Sequence, residues 1–277
     1  MLAACAMLGL RAMPALAASC GLGQSACTTP MGSYHIALPD TPPPTGGYPF
    51  VMFLHGAGGT SDGIMKMRRM TAAFTRRGYA VIAPQGLSWR GGKGGMWAFL
   101  PGLKREKMRD EAAFFEEVQA DAVARYDVTQ AKGLLSGFSA GAFMVSYLAC
   151  DRPNAFFAYA PVSGGFWRPH PAACAGPVRL FQTHGWDDKT VPLEGRPLGT
   201  RFLQGDILEG LSLWRATNGC SDPAPDGYDK TDQFLRRRWA CAPGSSLEFA
   251  LFPGGHQVPS GWAAMVIDWA EALPRTE

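Results

Sequence analysis

Apolar residues in this chain come in short solid runs, separated by stretches with a helical period, and the alternation recurs. Phe50-Val51-Met52-Phe53-Leu54 is a continuous apolar run of strand length, the pattern of a strand buried on both faces. From about Asp62 the period changes. Ile64, Met67, Thr71 and Phe74 share one stripe and Gly78 supplies a stop, which predicts one helix. Tyr79-Ala80-Val81-Ile82-Ala83 predicts the next strand, closed by Pro84. A Gly- and Trp-rich loop, 85–101, then leads into a charged helix with the stripe Met108, Ala112, Phe115, Val118, Ala122. Gly133-Leu134-Leu135-Ser136 reads as a strand, followed by a small-residue turn and an apolar helix from Ala140 to Ala149. Further strands are expected at Phe156 to Val162, Val178 to Thr183 and Leu247 to Phe252, and a last helix carries Trp262, Met265, Trp269 and Leu273. Such alternation implies an α/β fold, a mostly parallel sheet covered by helices on both faces. Residues 220–245 break the rhythm with Pro, Gly and two cysteines and read as a stapled insertion before the last strand. No linker interrupts residues 20–277, so one domain is expected.

Composition narrows the class. Hydrophobic residues make up 47% and charged residues 18%, which excludes a disordered chain. The net charge is +3, and the longest basic cluster, Arg236-Arg237-Arg238, is too short to suggest a nucleic-acid partner. Residues 1–19 are rich in Ala, Leu and Met and end in Ala15-Leu16-Ala17, a small-x-small cleavage pattern. Arg11 and Pro14 interrupt them, so the segment reads as an export leader rather than a membrane span. Met1 is not followed by Lys or Arg, which a misassigned start codon would explain. No other stretch is long and apolar enough to predict a transmembrane helix.

Removal of Cys5 with the leader leaves six cysteines, an even count that suits disulfides in a secreted or periplasmic protein. They fall into sequence-local pairs, Cys20 with Cys27, Cys150 with Cys174, and Cys220 with Cys241. A lipid-modified Cys20, after Ala17-Ala18-Ser19, and unpaired thiols in a cytosolic protein are the alternatives. No C-x-x-C occurs and the five histidines lie far from the cysteines, so no metal site is expected.

Gly137-Phe138-Ser139-Ala140-Gly141 is a G-x-S-x-G motif at an expected strand-to-helix turn. A nucleophile elbow is so tight that only small residues fit two positions either side of the serine. The turn exposes the hydroxyl at a helix N-terminus, where the backbone NH of Ala140 can hold an oxyanion. Among the histidines His35, His55, His170, His184 and His256, only His256 follows the last strand, the place of the base in the order serine, acid, histidine. The acid must lie between the two, and His184-Gly185-Trp186-Asp187-Asp188 follows a strand with two adjacent carboxylates. Adjacent side chains diverge in a turn, so one of them faces the imidazole, and composition does not choose which. Leu54-His55-Gly56-Ala57-Gly58-Gly59 ends the first core strand, where the NH of Ala57 is the candidate second oxyanion donor.

These residues together resemble exported α/β-hydrolases of the polyhydroxybutyrate depolymerase and feruloyl esterase type, over about residues 33–272. The marks are Leu-His-Gly-Ala-Gly-Gly, Gly-Phe-Ser-Ala-Gly, His-Gly-x-x-Asp-x-x-Val-Pro, Asn-Gly-Cys and Gly-Gly-His. The resemblance places the acid at Asp188 and likens Asn218-Gly219-Cys220 and Trp239-Ala240-Cys241 to the family's paired cysteines. It implies a serine esterase with no cofactor, using Ser139, His256 and Asp188 on a polyester or oligoester of hydroxyalkanoates. Feruloyl or acetyl-xylan esters are the alternative substrates, a peptidase is another chemistry on the same fold, and a catalytically idle binding protein is the alternative class. Members often carry Trp-Pro-Gly after the histidine, whereas this chain has Val258-Pro259-Ser260-Gly261. Trp186 and His55 are the candidate substrate contacts, with Trp89, Trp97 and Trp167 as further loop tryptophans.

Overall fold

The computed structural model describes residues 20, 25–88, 91–92, 94–100, 108–131 and 133–274. The expected leader, Cys5 and Trp89 lie outside the described residues. Ten strands form one sheet: β1 (Cys27–Thr29), β2 (Gly32–Ala37), β3 (Phe50–Leu54), β4 (Ala80–Pro84), β5 (Leu134–Phe138), β6 (Ala158–Val162), β7 (Arg179–Gly185), β8 (Gly227–Thr231), β9 (Phe234–Trp239) and β10 (Ser246–Phe252). Their order across the sheet is β1-β2-β4-β3-β5-β6-β7-β10-β9-β8. The six central strands, β4 to β10 in that order, are parallel, and an antiparallel pair flanks each side.

Strand β3 shows why the sheet needs two cores. Phe50, Met52 and Leu54 point to one face, packing with Phe114 and Phe115 of α3 (Glu111–Tyr126), Phe143 of α4 (Ala140–Asp151) and Trp214 of α5 (Ile207–Thr217). Val51 and Phe53 point to the other, meeting Ile64 of α1 (Ser61–Met65), Phe74 of α2 (Arg68–Arg76) and Trp262 of α6 (Trp262–Ala272). A strand apolar at every position is what two such faces require. Asp110 and Asp206 cap α3 and α5 through their carboxylates. No helix among the described residues is long and apolar enough to cross a membrane.

The structure corrects the sequence reading in two places and refines it in a third. The helix expected from Asp62 is two helices, broken at Lys66-Met67, where Met67 has a non-helical ψ of 59°. In an unbroken helix Met70 would sit about 120° around the axis from Ile64, yet both are buried on the same side of the sheet. The segment 220–245 is the expected stapled insertion, and the structure adds that β8 and β9 within it form an antiparallel hairpin on the sheet edge. Its period of two was hidden by charge: Arg236 pairs with Glu248, and Arg238 with Asp229. Strand β2 was also missed, and His35 lies inside it and bonds Ser61.

The cysteines pair as Cys20–Cys27, Cys150–Cys174 and Cys220–Cys241. The first ties the start of the described chain to β1, and the third closes the base of the β8–β9 hairpin.

Candidate active site

Strand β5 runs directly into α4, and Ser139 is the residue between them. Its φ of 56° and ψ of −116° lie in a region that side chains rarely occupy. The strain is held by hydrogen bonds from Ser139 N to Val162 O and from Phe143 N to Ser139 O. Glycines make the turn possible for a steric reason. A Cβ on Gly137 would stand 2.7 Å from the backbone of Gly141, and one on Gly141 would stand 2.3 Å from the Leu54 carbonyl oxygen.

Ser139 Oγ lies 2.9 Å from His256 Nε2, and His256 Nδ1 lies 2.8 Å from Asp188 Oδ2. A carboxylate can only accept, so Nδ1 carries the proton and Nε2 is left with a lone pair for the serine hydroxyl. Asp188 is 4% exposed. Its Oδ1 accepts from the amides of Thr190 at 2.9 Å and Val191 at 2.8 Å. Burial alone would raise its pKa, but the bonds from His256 and Val191 and the nearby imidazoles hold the carboxyl below its ordinary value. Asp187, its neighbour, is exposed and lies 3.6 Å from Lys189. The structure thus separates the two carboxylates that composition left equivalent.

The loops that carry Asp188 and His256 are fastened to each other. Trp186 N donates to Phe252 O and Asp187 N to Gly254 O. Gly185 permits this approach, since a Cβ there would stand 2.4 Å from Gly254 O. His184 is fully buried at the end of β7, and its Nε2–H donates to Val191 O at 2.7 Å. Burial pushes its pKa down, keeping the ring neutral. His184 therefore props the turn whose amides grip Asp188. Sequence reasoning had it as a competing base and as the first residue of the family motif, but assigned it no supporting role. The ring of Phe138, a variable position of the elbow motif, packs 4.6 Å from that of His256 and was not foreseen.

Other candidates fall outside this arrangement. His55 was expected to touch substrate, but it is 1% exposed and both ring nitrogens are engaged. Nδ1–H donates to Gly56 O and Nε2 accepts from Gly86 N. Its carbonyl also accepts from the buried Trp97 indole, so both side chains brace the loop behind the site. Trp167 packs against Phe99, Phe143 and Phe202. Trp186 is different, with 70% of its surface exposed two residues before Asp188. His170 sits at the start of α5, bonded to Asp206 O. Ala140 opens α4, its NH at the positive end of the helix. In the loop after β3, the amides of Gly58 and Gly59 donate to Gly95 O and Gly56 O. A Cβ on Gly56 would stand 3.3 Å from that of Ser139, so the Gly56-Ala57 backbone borders the serine.

A parallel sheet that delivers a strained serine, a buried carboxylate and a histidine from three strand ends defines an α/β-hydrolase. The chain belongs to the phospholipase/carboxylesterase family, whose sequence model matches residues 43–207. It is similar to a protein named probable feruloyl esterase C from Aspergillus niger, 26% identical over 80% of this chain and 75% of that one. Among solved structures it resembles an acetyl xylan esterase from Aspergillus awamori, with a TM-score of 0.64 and 16% identity over 86% of this chain and 93% of the other. A carboxylesterase from Bacillus cereus gives a TM-score of 0.57 at 14% identity over 87% and 94% of the two chains. These two likenesses are of fold. The protein is a carboxylic ester hydrolase of the α/β-hydrolase class.

Proposed function

We propose that Ser139, His256 and Asp188 are the catalytic triad of an exported serine esterase acting on feruloyl-type aromatic esters. The observation that carries the triad is the unbroken hydrogen-bonded chain from Asp188 through His256 to Ser139. His256 takes the hydroxyl proton as Ser139 attacks the ester carbonyl, and Asp188 stabilises the imidazolium. The oxyanion is held by the backbone NH groups of Ala57 and Ala140. His256 then protonates the departing alcohol. Water, activated by the same imidazole, hydrolyses the acyl-enzyme.

Two observations favour an aromatic acyl group over the hydroxyalkanoate first suggested by the motifs. The curated relative from Aspergillus niger is named for feruloyl esters, and Trp186 offers an exposed indole beside the acid loop, suited to stacking on an aromatic ring. Three disulfides support a secreted or periplasmic location.

Labelling with a fluorophosphonate tests the nucleophile. The probe should attach at Ser139, and Ser139→Ala should be unlabelled, folded and about a millionfold slower. A folded wild-type protein that resists the probe would return the chain to the idle-binder class. A panel of methyl ferulate, short acyl esters and hydroxybutyrate oligomers ranks the substrates, and preference for the oligomers would overturn the aromatic assignment.

A further inference from the structure

Outside the catalytic centre, a groove of about 870 Å³ lies between α2 and the chain 258–264, which begins two residues after His256. Met67, Met70, Ala73 and Val258 line its apolar side, while Lys66, Arg68, Arg69 and Arg76 line it with positive charge and no carboxylate does. Lys66 already has Asp62 at 2.5 Å. Arg77, the next basic residue, is taken up by Asp268 and Glu271. Among the described residues no ion pair engages Arg68, Arg69 or Arg76, and all three are exposed. Arg69 and Arg76 are seven residues apart on α2, hence on one face and about 10 Å apart along the axis. Guanidinium groups so placed suit an anion whose charge repeats along its length better than a single carboxylate.

We propose that this groove binds a carboxylate-bearing polysaccharide, the polymer to which the hydrolysed ester is attached. Guanidinium pairs with carboxylate through two parallel hydrogen bonds, and the shallow apolar floor accepts the hydrocarbon faces of sugar rings. The groove lacks what other polyanions require. None of the exposed large hydrophobic side chains (Met108, Trp186, Leu203, Leu208, Tyr228, Leu235) lines it, so nothing there inserts into a bilayer. Its one aromatic lining residue, Trp262, is fully buried and cannot stack on a nucleobase. The groove lining resumes at Val258, two residues after His256, so a bound chain would run beside the segment that follows the histidine. The proposal rests on ester hydrolysis for its purpose, but binding is measured apart from turnover, so the two can fail separately.

The test is calorimetric titration of the full chain with oligogalacturonate and with a neutral xylo-oligosaccharide of equal length. The acidic oligomer should bind more tightly, and the difference should shrink as salt is raised. Arg68→Gln/Arg69→Gln/Arg76→Gln should weaken oligogalacturonate binding about tenfold or more, while turnover of a small neutral ester stays unchanged. If the triple variant misfolds, Arg69→Gln and Arg76→Gln singly serve the same purpose, each with a smaller loss. Equal affinity for acidic and neutral oligomers, or undiminished binding by the folded variants, overturns the proposal. So does arginine-dependent binding of phosphatidylglycerol/phosphatidylcholine vesicles or of single-stranded DNA in place of the acidic oligomer.

Discussion

Replacing Asp188 by Asn removes one charge and keeps the shape, and the surrounding hydrogen bonds dictate how the new amide must sit. Oδ1 is pinned by the amides of Thr190 and Val191, which only an acceptor can satisfy. The new NH2 group must therefore take the place of Oδ2, facing His256 Nδ1. A donor there drives the imidazole proton to Nε2, and the ring can no longer accept from Ser139. Loss of the tautomer and of the compensating charge is worth about ten-thousandfold in kcat, roughly 5 kcal/mol of barrier. Asp187→Asn alters an exposed group and should cost less than tenfold, as surface ion pairs contribute little.

The same carboxylate links folding to acidity. Its pKa in the folded protein is depressed below 3.8, so its contribution to stability is complete above the unfolded value and disappears as pH falls through the folded one. Asp188→Asn should flatten that part of the acid limb. Steady-state kinetics on a small ester, with melting curves from pH 7 down to 2, check both arms. Near wild-type turnover in Asp188→Asn, or a larger loss in Asp187→Asn, would refute the reasoning.

Two further outcomes rest on packing. Gly141→Ala places a methyl 2.3 Å from the Leu54 carbonyl oxygen, and because backbone cannot yield there, loss of soluble protein or of fluorophosphonate labelling is expected. Cys220→Ser/Cys241→Ser opens a closure of 21 residues, worth about 3 kcal/mol and roughly 10 °C in Tm. Because Trp239 in β9 pairs with Leu247 at the start of β10, activity should fall before the global transition when calorimetry and turnover are compared.

Some of this was legible in the chain because the physics is local. Solid apolar runs at Phe50 to Leu54 and Tyr79 to Ala83 can serve only strands buried on two faces, and Gly137 answers to a contact with Gly141, four residues on. His256 and Ser139 were identified by position relative to such strands. The choice between Asp187 and Asp188 was not local. It depends on amides at Thr190 and Val191 and on a carbonyl held by His184, none of which has a signature in residue type, so only the family motif reached it. His55 misled for the same reason. A histidine after a core strand looks chemical until Gly86 and Gly56 are seen to occupy both nitrogens. The β8–β9 hairpin was hidden by its charged inner positions, whose partners come from neighbouring strands.

That hairpin also forms one edge of the sheet. A sheet with ten strands has two ends, and each end is a row of backbone donors and acceptors that another chain could extend. At one end β1 is three residues long and is held by Cys20–Cys27, too short a template for a stable intermolecular strand. At the other, β8 reads Gly-Tyr-Asp-Lys-Thr, where Lys230 stands exposed and any incoming strand would have to bury it. The apolar central strands, which would aggregate readily if left at an edge, are each enclosed by neighbours. The disulfide at Cys220–Cys241 keeps the charged strand in place, so reduction should expose β10 to edge-to-edge association. The staple then acts as protection against aggregation as much as a source of stability.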